Sequence, residues 1–144
     1  MEELFLIVSI AGQRIALPAD HVESVVEIDN ITPVPLVSPH VAGLFALRSR
    51  VLTIIDSGSA LGLEPTARSG AMQAVIVLCD GHQYGLLVEH VEDVLETTAP
   101  VRPVRAVLAD GWARAARGVM VHGGEALLLV DPAMLIAGPA DLAA

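Results

Sequence analysis

A stretch of this chain is written twice. Residues 20–27 read DHVESVVE and residues 89–96 read EHVEDVLE, with five of eight positions identical. The other three pairs are close substitutions: Asp20/Glu89, Ser24/Asp93 and Val26/Leu95. The shift, 89 − 20 = 69, also lays Gly12 on Gly81. Further along, residues 43–56 (GLFALRSRVLTIID) answer residues 118–131 (GVMVHGGEALLLVD) at a shift of 118 − 43 = 75. Such a duplication implies a pseudo-symmetric molecule with a cleft between like halves. Each half then serves as a control for the other. Agreement between the copies points to the fold, and disagreement leaves room for function.

The punctuation of the chain points to many short strands. Leu4–Ala11 and Gln13–Leu17 flank Gly12 and read as a hairpin, with a helical turn over 19–24 and an extended Val25–Ile28. Three prolines, Pro33, Pro35 and Pro39, make 30–39 an extended connection. Gly43–Leu47 and Val51–Ile55 are two further strands, followed by a short helix from Asp56. Residues 65–70 join the halves. The second half repeats the programme: strands over 72–79 and 84–87, a helical turn over 89–93, a strand over 94–97, a hairpin over 118–130 and a helix over 131–137. Residues 106–117, with Trp112, are ambiguous, and the tail 138–144 is expected to fray. The fold class is therefore mainly β: an all-β barrel or sandwich with a few short helices, refined by the duplication to two small barrels. A half of about 70 residues is near the lower limit for burying its own core, so the halves should share apolar surface.

Composition narrows the function. Hydrophobic residues make up 53% of 144 residues, ample for a core, but there are one Trp, one Tyr and two Phe to serve as stacking platforms. Net charge is −9, and all eight strong cations are Arg. That balance argues against nucleic acid and against an anionic membrane surface. Cys79 stands alone within an apolar run, so no disulfide forms within one chain, which fits a reducing compartment. No apolar run approaches the ~18 residues of a membrane span. The expectation is a cytoplasmic chain without membrane insertion.

Chemistry-bearing residues are sparse. Asp56 and Asp131 are matched acids, each between a strand and a helix, and Asp131-Pro132 reads as an N-cap followed by proline at the first helical position. His21 and His90 are matched beside Asp20 and Glu89, yet no further ligands stand at a spacing that would complete a metal site. No phosphate-binding loop and no Gly-x-Ser-x-Gly elbow is present. The expectation is no enzyme, no cofactor and no metal.

One place sets the copies against each other. At a shift of 75, Gly123-Gly124 falls on Arg48-Ser49. Gly-Gly accepts the positive φ of a two-residue hairpin, whereas Arg and Ser pay more for it. Local rules are broken most often at functional sites. Arg48 therefore reads either as a contact group, able to grip a carboxylate or carbonyls, or as an ordinary exposed Arg on a longer loop.

The run Val41–Asp56, VAGLFALRSRVLTIID, resembles the signature of the CheW family of bacterial chemotaxis coupling proteins. Val25-Val26-Glu27-Ile28, Ile31–Pro35 and Gly85–Leu95 fit the same family's pattern in order, and the resemblance covers residues 3–137. It implies two intertwined five-stranded β-barrels in one domain over 1–144, with halves near 12–64 and 81–137 and the remaining strands shared. It implies a non-enzymatic adaptor, monomeric alone, that binds the regulatory domain of a CheA-type histidine kinase and the cytoplasmic tip of a chemoreceptor. By the same resemblance Val25, Glu27, Gly43, Arg48 and Ser49 fall on partner-binding positions. The chain departs from the pattern at Ala46, Ser49, Thr53 and Ser57-Gly58. These departures open an alternative: a divergent module that pairs with a kinase regulatory domain without coupling receptors, in an accessory chemosensory or twitching-motility system.

Overall fold

The computed structural model describes residues 3–68 and 71–138. Among these residues there are ten strands: β1 Glu3–Ile10, β2 Gln13–Pro18, β3 Val22–Ile28, β4 Val41–Leu47, β5 Arg50–Asp56, β6 Met72–Cys79, β7 His82–Val88, β8 His90–Thr97, β9 Ala116–His122 and β10 Glu125–Val130. Three short helices join them: α1 Ser57–Ala60, α2 Asp110–Ala115 and α3 Pro132–Ala137. The molecule is mainly β, with two five-stranded sheets, as the sequence led us to expect.

The sheets exchange strands between the halves. Sheet A runs β8-β1-β2-β10-β9 and sheet B runs β3-β6-β7-β5-β4. Adding five to each strand of the first half, and subtracting five in the second, turns one order into the other. Each sheet thus takes one antiparallel hairpin from one half and three strands from the other. The halves meet at four pairings, the antiparallel β1 with β8 and β3 with β6 and the parallel β2 with β10 and β5 with β7.

This exchange explains the apolar runs LFLIVSI and AVIVLC, which alternate poorly because both faces are buried. On β1, Leu6, Val8 and Ile10 enter the core shared between the sheets, while Phe5 and Ile7 enter the inner cluster of sheet A. On β6, Val75 and Val77 take the shared core, while Ala74 and Ile76 fill the inner cluster of sheet B. The shared core also holds Ile15, Leu17, Ile55, Leu86, Val130 and Leu135.

The sheets do not close into the expected barrels, because a connector takes the place that a closing strand would need. Thr32 pairs with Leu44 on the free edge of β4, and Arg102 pairs with Val119 on the free edge of β9. A second difference lies at 89–93, expected as a helical turn. The first copy forms only a single 3-10 turn, Ala19–His21. In the second, the Glu89 N–H donates to Ser9 O (3.0 Å) and the Glu89 carboxylate accepts from Gly12 N–H (2.7 Å), so the chain runs extended into β8.

The shift grows from 69 to 75, and most of the added length falls in the segment before β9 that carries α2. It packs Trp112 and Ala115 onto the shared core, and Arg114 donates to Ala60 O at 2.8 Å. Of the join at 65–70, Thr66 and Arg68 are tied to Asp56, while Ser69 and Gly70 lie outside the described residues, as do 139–144 of the tail. Gly111 lies so close to α1 that a Cβ would sit 1.8 Å from Leu61 O. Gly111→Ala is expected to cost about 1–3 kcal/mol by over-packing. Urea unfolding followed by the fluorescence of Trp112 measures it.

Candidate functional site

On β3 the side chains of Val26 and Ile28 pack into the inner cluster of sheet B, so alternation turns Val25 and Glu27 outward. β3 is an edge strand, paired only with β6. Val25 is 40% exposed, and its counterpart Val94 on β8 is 56% exposed. Glu27 likewise has the counterpart Glu96. These two positions repeat between the copies.

The β4–β5 turn does not repeat. Leu47 pairs with Arg50, leaving Arg48-Ser49 as the two central residues. The three other hairpin turns carry two positive φ angles each: Ala11-Gly12 (52° and 78°), Asp80-Gly81 (51° and 79°) and Gly123-Gly124 (59° and 80°). In the β4–β5 turn only Arg48 has one, at 57°. A non-glycine residue there carries backbone strain. Arg48 and Ser49 are both exposed. Among the described residues Arg48 has no side-chain hydrogen bond and no ion pair within 4 Å, leaving its guanidinium free. Arg48→Gly is expected to stabilise the fold by roughly 0.5–1 kcal/mol; a thermal or urea midpoint reads this.

Gly43 is placed differently. It is buried, with φ 148°, and a Cβ would sit 2.2 Å from Thr32 O. It lets the connector lie against β4, where Thr32 N–H donates to Leu44 O and Leu44 N–H to Thr32 O, both at 2.8 Å. Gly118 does the same for Arg102 and Val119 in the other sheet, where a Cβ would sit 2.8 Å from Arg102 O. Gly43 thus sets the backbone beneath the site. The sequence held a signal for this pairing: Val101-Arg102-Pro103 follows Ile31-Thr32-Pro33 at a shift of 70.

The matched acids are structural groups. Asp56 is fully buried and accepts from Ser59 N–H (3.1 Å), Thr66 N–H (3.1 Å), Thr66 Oγ1 (3.0 Å) and Arg68 Nη2 (2.8 Å). Asp131 caps α3 through Ala133 N–H at 3.0 Å and pairs with Arg117. His21 and His90 are both exposed. Among the described residues no group of three or more His, Cys, Asp or Glu side chains is placed to hold a metal. Cys79 is half-buried, and desolvation, with Asp80 and Asp131, pushes its thiol up. No helix among the described residues is long and apolar enough to cross a membrane.

A row of polar side chains at the end of each sheet went unread in the sequence. In sheet A, Ser9 Oγ donates to Glu92 (2.8 Å), Arg14 Nε donates to Glu92 (2.8 Å), and Arg14 also bonds Glu125. The hydrogen bond from Ser9 and then Arg14 hold the Glu92 carboxyl below its ordinary range, while Glu125 chiefly raises Arg14. In sheet B the counterparts differ: Arg50 donates to Gln83, and Gln83 donates to Glu23. A lowered carboxylate stabilises the fold above its unfolded value and loses that contribution as pH falls through its folded value. The drop in unfolding midpoint on acidification below about pH 4 should therefore be smaller in Glu92→Gln than in the parent.

The comparisons with known proteins agree with this architecture. The family model described as "CheW-like domain" matches residues 4–139, and the chain belongs to that family. A "Chemotaxis protein CheW" of Thermotoga maritima is 28% identical over 120 residues, covering 83% of this chain and 78% of that protein. Another, of Rhizobium meliloti, is 33% identical over 104 residues, covering 69% of this chain and 65% of that protein. Among solved structures, the scaffolding protein TtCheW of Thermoanaerobacter tengcongensis superposes with a TM-score of 0.77 at 20% identity, over 90% of this chain and 89% of that one. That likeness concerns the fold.

Proposed function

We propose that this chain is a non-enzymatic adaptor of the cytoplasm that couples chemoreceptors to a CheA-type histidine kinase. The observation that carries the reading is the CheW-like domain match over residues 4–139, nearly the whole chain, supported by relatives that bear the name of chemotaxis proteins. The contact surface is the outer side of β3, with Val25 and Glu27, and the β4–β5 turn, with Arg48 and Ser49. Gly43 acts beneath it by setting the backbone. A free cation held at a strained turn suits a contact made with a partner's carboxylate or carbonyls. The adaptor is a monomer on its own, and each interface is in the micromolar range, about −8 kcal/mol, which suits assembly through several weak contacts.

A second reading rests on Ala46 and Ser49, both exposed where the family pattern has Asn and Gly. There the chain pairs with a kinase regulatory domain and no longer recruits receptors. Calorimetric titration with the regulatory domain of a kinase from the same genome, with and without a receptor cytoplasmic fragment, separates the two. A ternary complex is expected for the adaptor; a kinase complex that ignores receptor supports the second reading. Arg48→Glu is expected to keep the fold and weaken ternary assembly by about tenfold. Unchanged assembly removes Arg48 from the surface.

A further inference from the structure

Helix α2 has no counterpart in the first half: it stands between β8 and β9, and no helix stands between β3 and β4. It carries Trp112, the one tryptophan of the chain. The indole packs on the shared core and is half-buried there. Its remaining surface borders an open cleft of about 500 Å³, lined also by Ala11, Leu63, Glu64, Pro65 and Glu89. That volume lies in the range of small-molecule pockets. None of Val25, Glu27, Arg48 or Ser49 lines it.

Three separate elements meet at this cleft, and each is tied in place. Helix α2 lies against the end of α1 through Gly111, whose missing side chain leaves room for Leu61 O. The loop after α1 is held at Leu63, whose N–H donates to Gly58 O (2.9 Å), and at Thr66, whose N–H donates to Asp56 (3.1 Å). Glu64 and Pro65 stand between those two ties. Glu89 is oriented by Gly12 N–H, which donates to its Oε1 at 2.7 Å. These contacts leave acceptors over. Among the described residues the exposed Glu64 carboxylate makes no ion pair and accepts no hydrogen bond, and Glu89 Oε2 accepts none.

An aromatic face beside two carboxylates with open acceptors selects an organic cation. A guanidinium is planar, weakly hydrated, stacks on aromatic faces and carries several N–H donors in a fixed fork. A quaternary ammonium has no donor for the carboxylates, and a primary ammonium is a compact, strongly hydrated charge that does not stack. We propose that this cleft binds a small guanidinium compound, stacked on Trp112, with its N–H groups shared between Glu64 and Glu89 and its aliphatic stem on Leu63 and Pro65. Occupancy then ties α2 to the loop after α1 and to the start of β8, three elements packed around the shared core.

As the only tryptophan, Trp112 reports on its own site. Titration of the full chain with arginine, followed by indole emission and by calorimetry, is expected to saturate. Citrulline keeps the planar shape and loses the charge; lysine keeps the charge and loses the plane. Each is expected to bind at least about tenfold more weakly than arginine. Glu64→Gln and Trp112→Phe, the latter read by calorimetry, should each weaken arginine binding by about tenfold, with circular dichroism unchanged. Arginine should also raise the unfolding midpoint of the parent more than that of Glu64→Gln. A response to arginine that never saturates overturns the assignment. So does citrulline or lysine within twofold of arginine, or undiminished binding in Glu64→Gln. Weaker kinase or receptor-fragment binding in Glu64→Gln, without saturation by free arginine, gives the cleft to a side chain of a partner and also overturns it. The titration uses this chain alone, so its outcome and that of the adaptor reading are separate. Should Trp112→Phe fail to fold, Glu64→Gln, at an exposed carboxylate, decides.

Discussion

The burial of β1 and β6 on both faces is the constraint on which the rest of this structure depends. Each strand sends alternate side chains into the core between the sheets and into the inner cluster of one sheet. Neither half can cover both faces alone, so each lends its first hairpin to the other's sheet. The parallel seams β2–β10 and β5–β7 follow from that loan, and so does the placing of α1 and α3 over the shared core. Fully burying one aliphatic side chain contributes roughly 1.5–3 kcal/mol, and the shared core holds more than a dozen such residues. The two halves should therefore form and lose structure together.

The duplication, the strand inventory and the caps at Asp56 and Asp131 were legible because they rest on local chemistry: repeated residues, turn glycines and an N-cap before proline. The exchange of strands was not, since a repeat says which segments are alike and not which of them pair. The turn at 89–93 misled because the polar run EHVED suits a helix as well as an edge strand. What decided it was a distant partner, the Ser9 carbonyl and Gly12 amide that hold Glu89 extended. Helix α2 was masked by an alanine-rich stretch with Gly111 inside it. That glycine makes sense only against the Leu61 carbonyl. The failure of the barrels to close lies in Thr32 and Arg102, single connector residues that occupy a strand edge.

The candidate site was legible in part, and for an instructive reason. Arg48-Ser49 stood out because Gly123-Gly124 showed what that turn needs when nothing else is asked of it. Gly43 belongs with Gly118 instead, as a close approach that both copies require. Val25 and Glu27 have like counterparts in Val94 and Glu96, so their placing on an edge strand is a property of the fold that one copy can put to use. The polar rows needed the structure, because Glu23, Gln83 and Arg50 meet only once β3, β6, β7 and β5 are laid side by side.

Partner contact is assigned to the outer side of β3 and to the β4–β5 turn, the one hairpin turn at which the two copies differ. Backbone amide chemical shifts of the labelled protein, recorded with and without an unlabelled kinase regulatory domain, test it most directly. Perturbation is expected at Val25–Glu27 and Leu47–Arg50, with Val94–Glu96 and His122–Glu125 of the like surface unmoved. Perturbation of both surfaces alike, or of the sheet A positions alone, would contradict it.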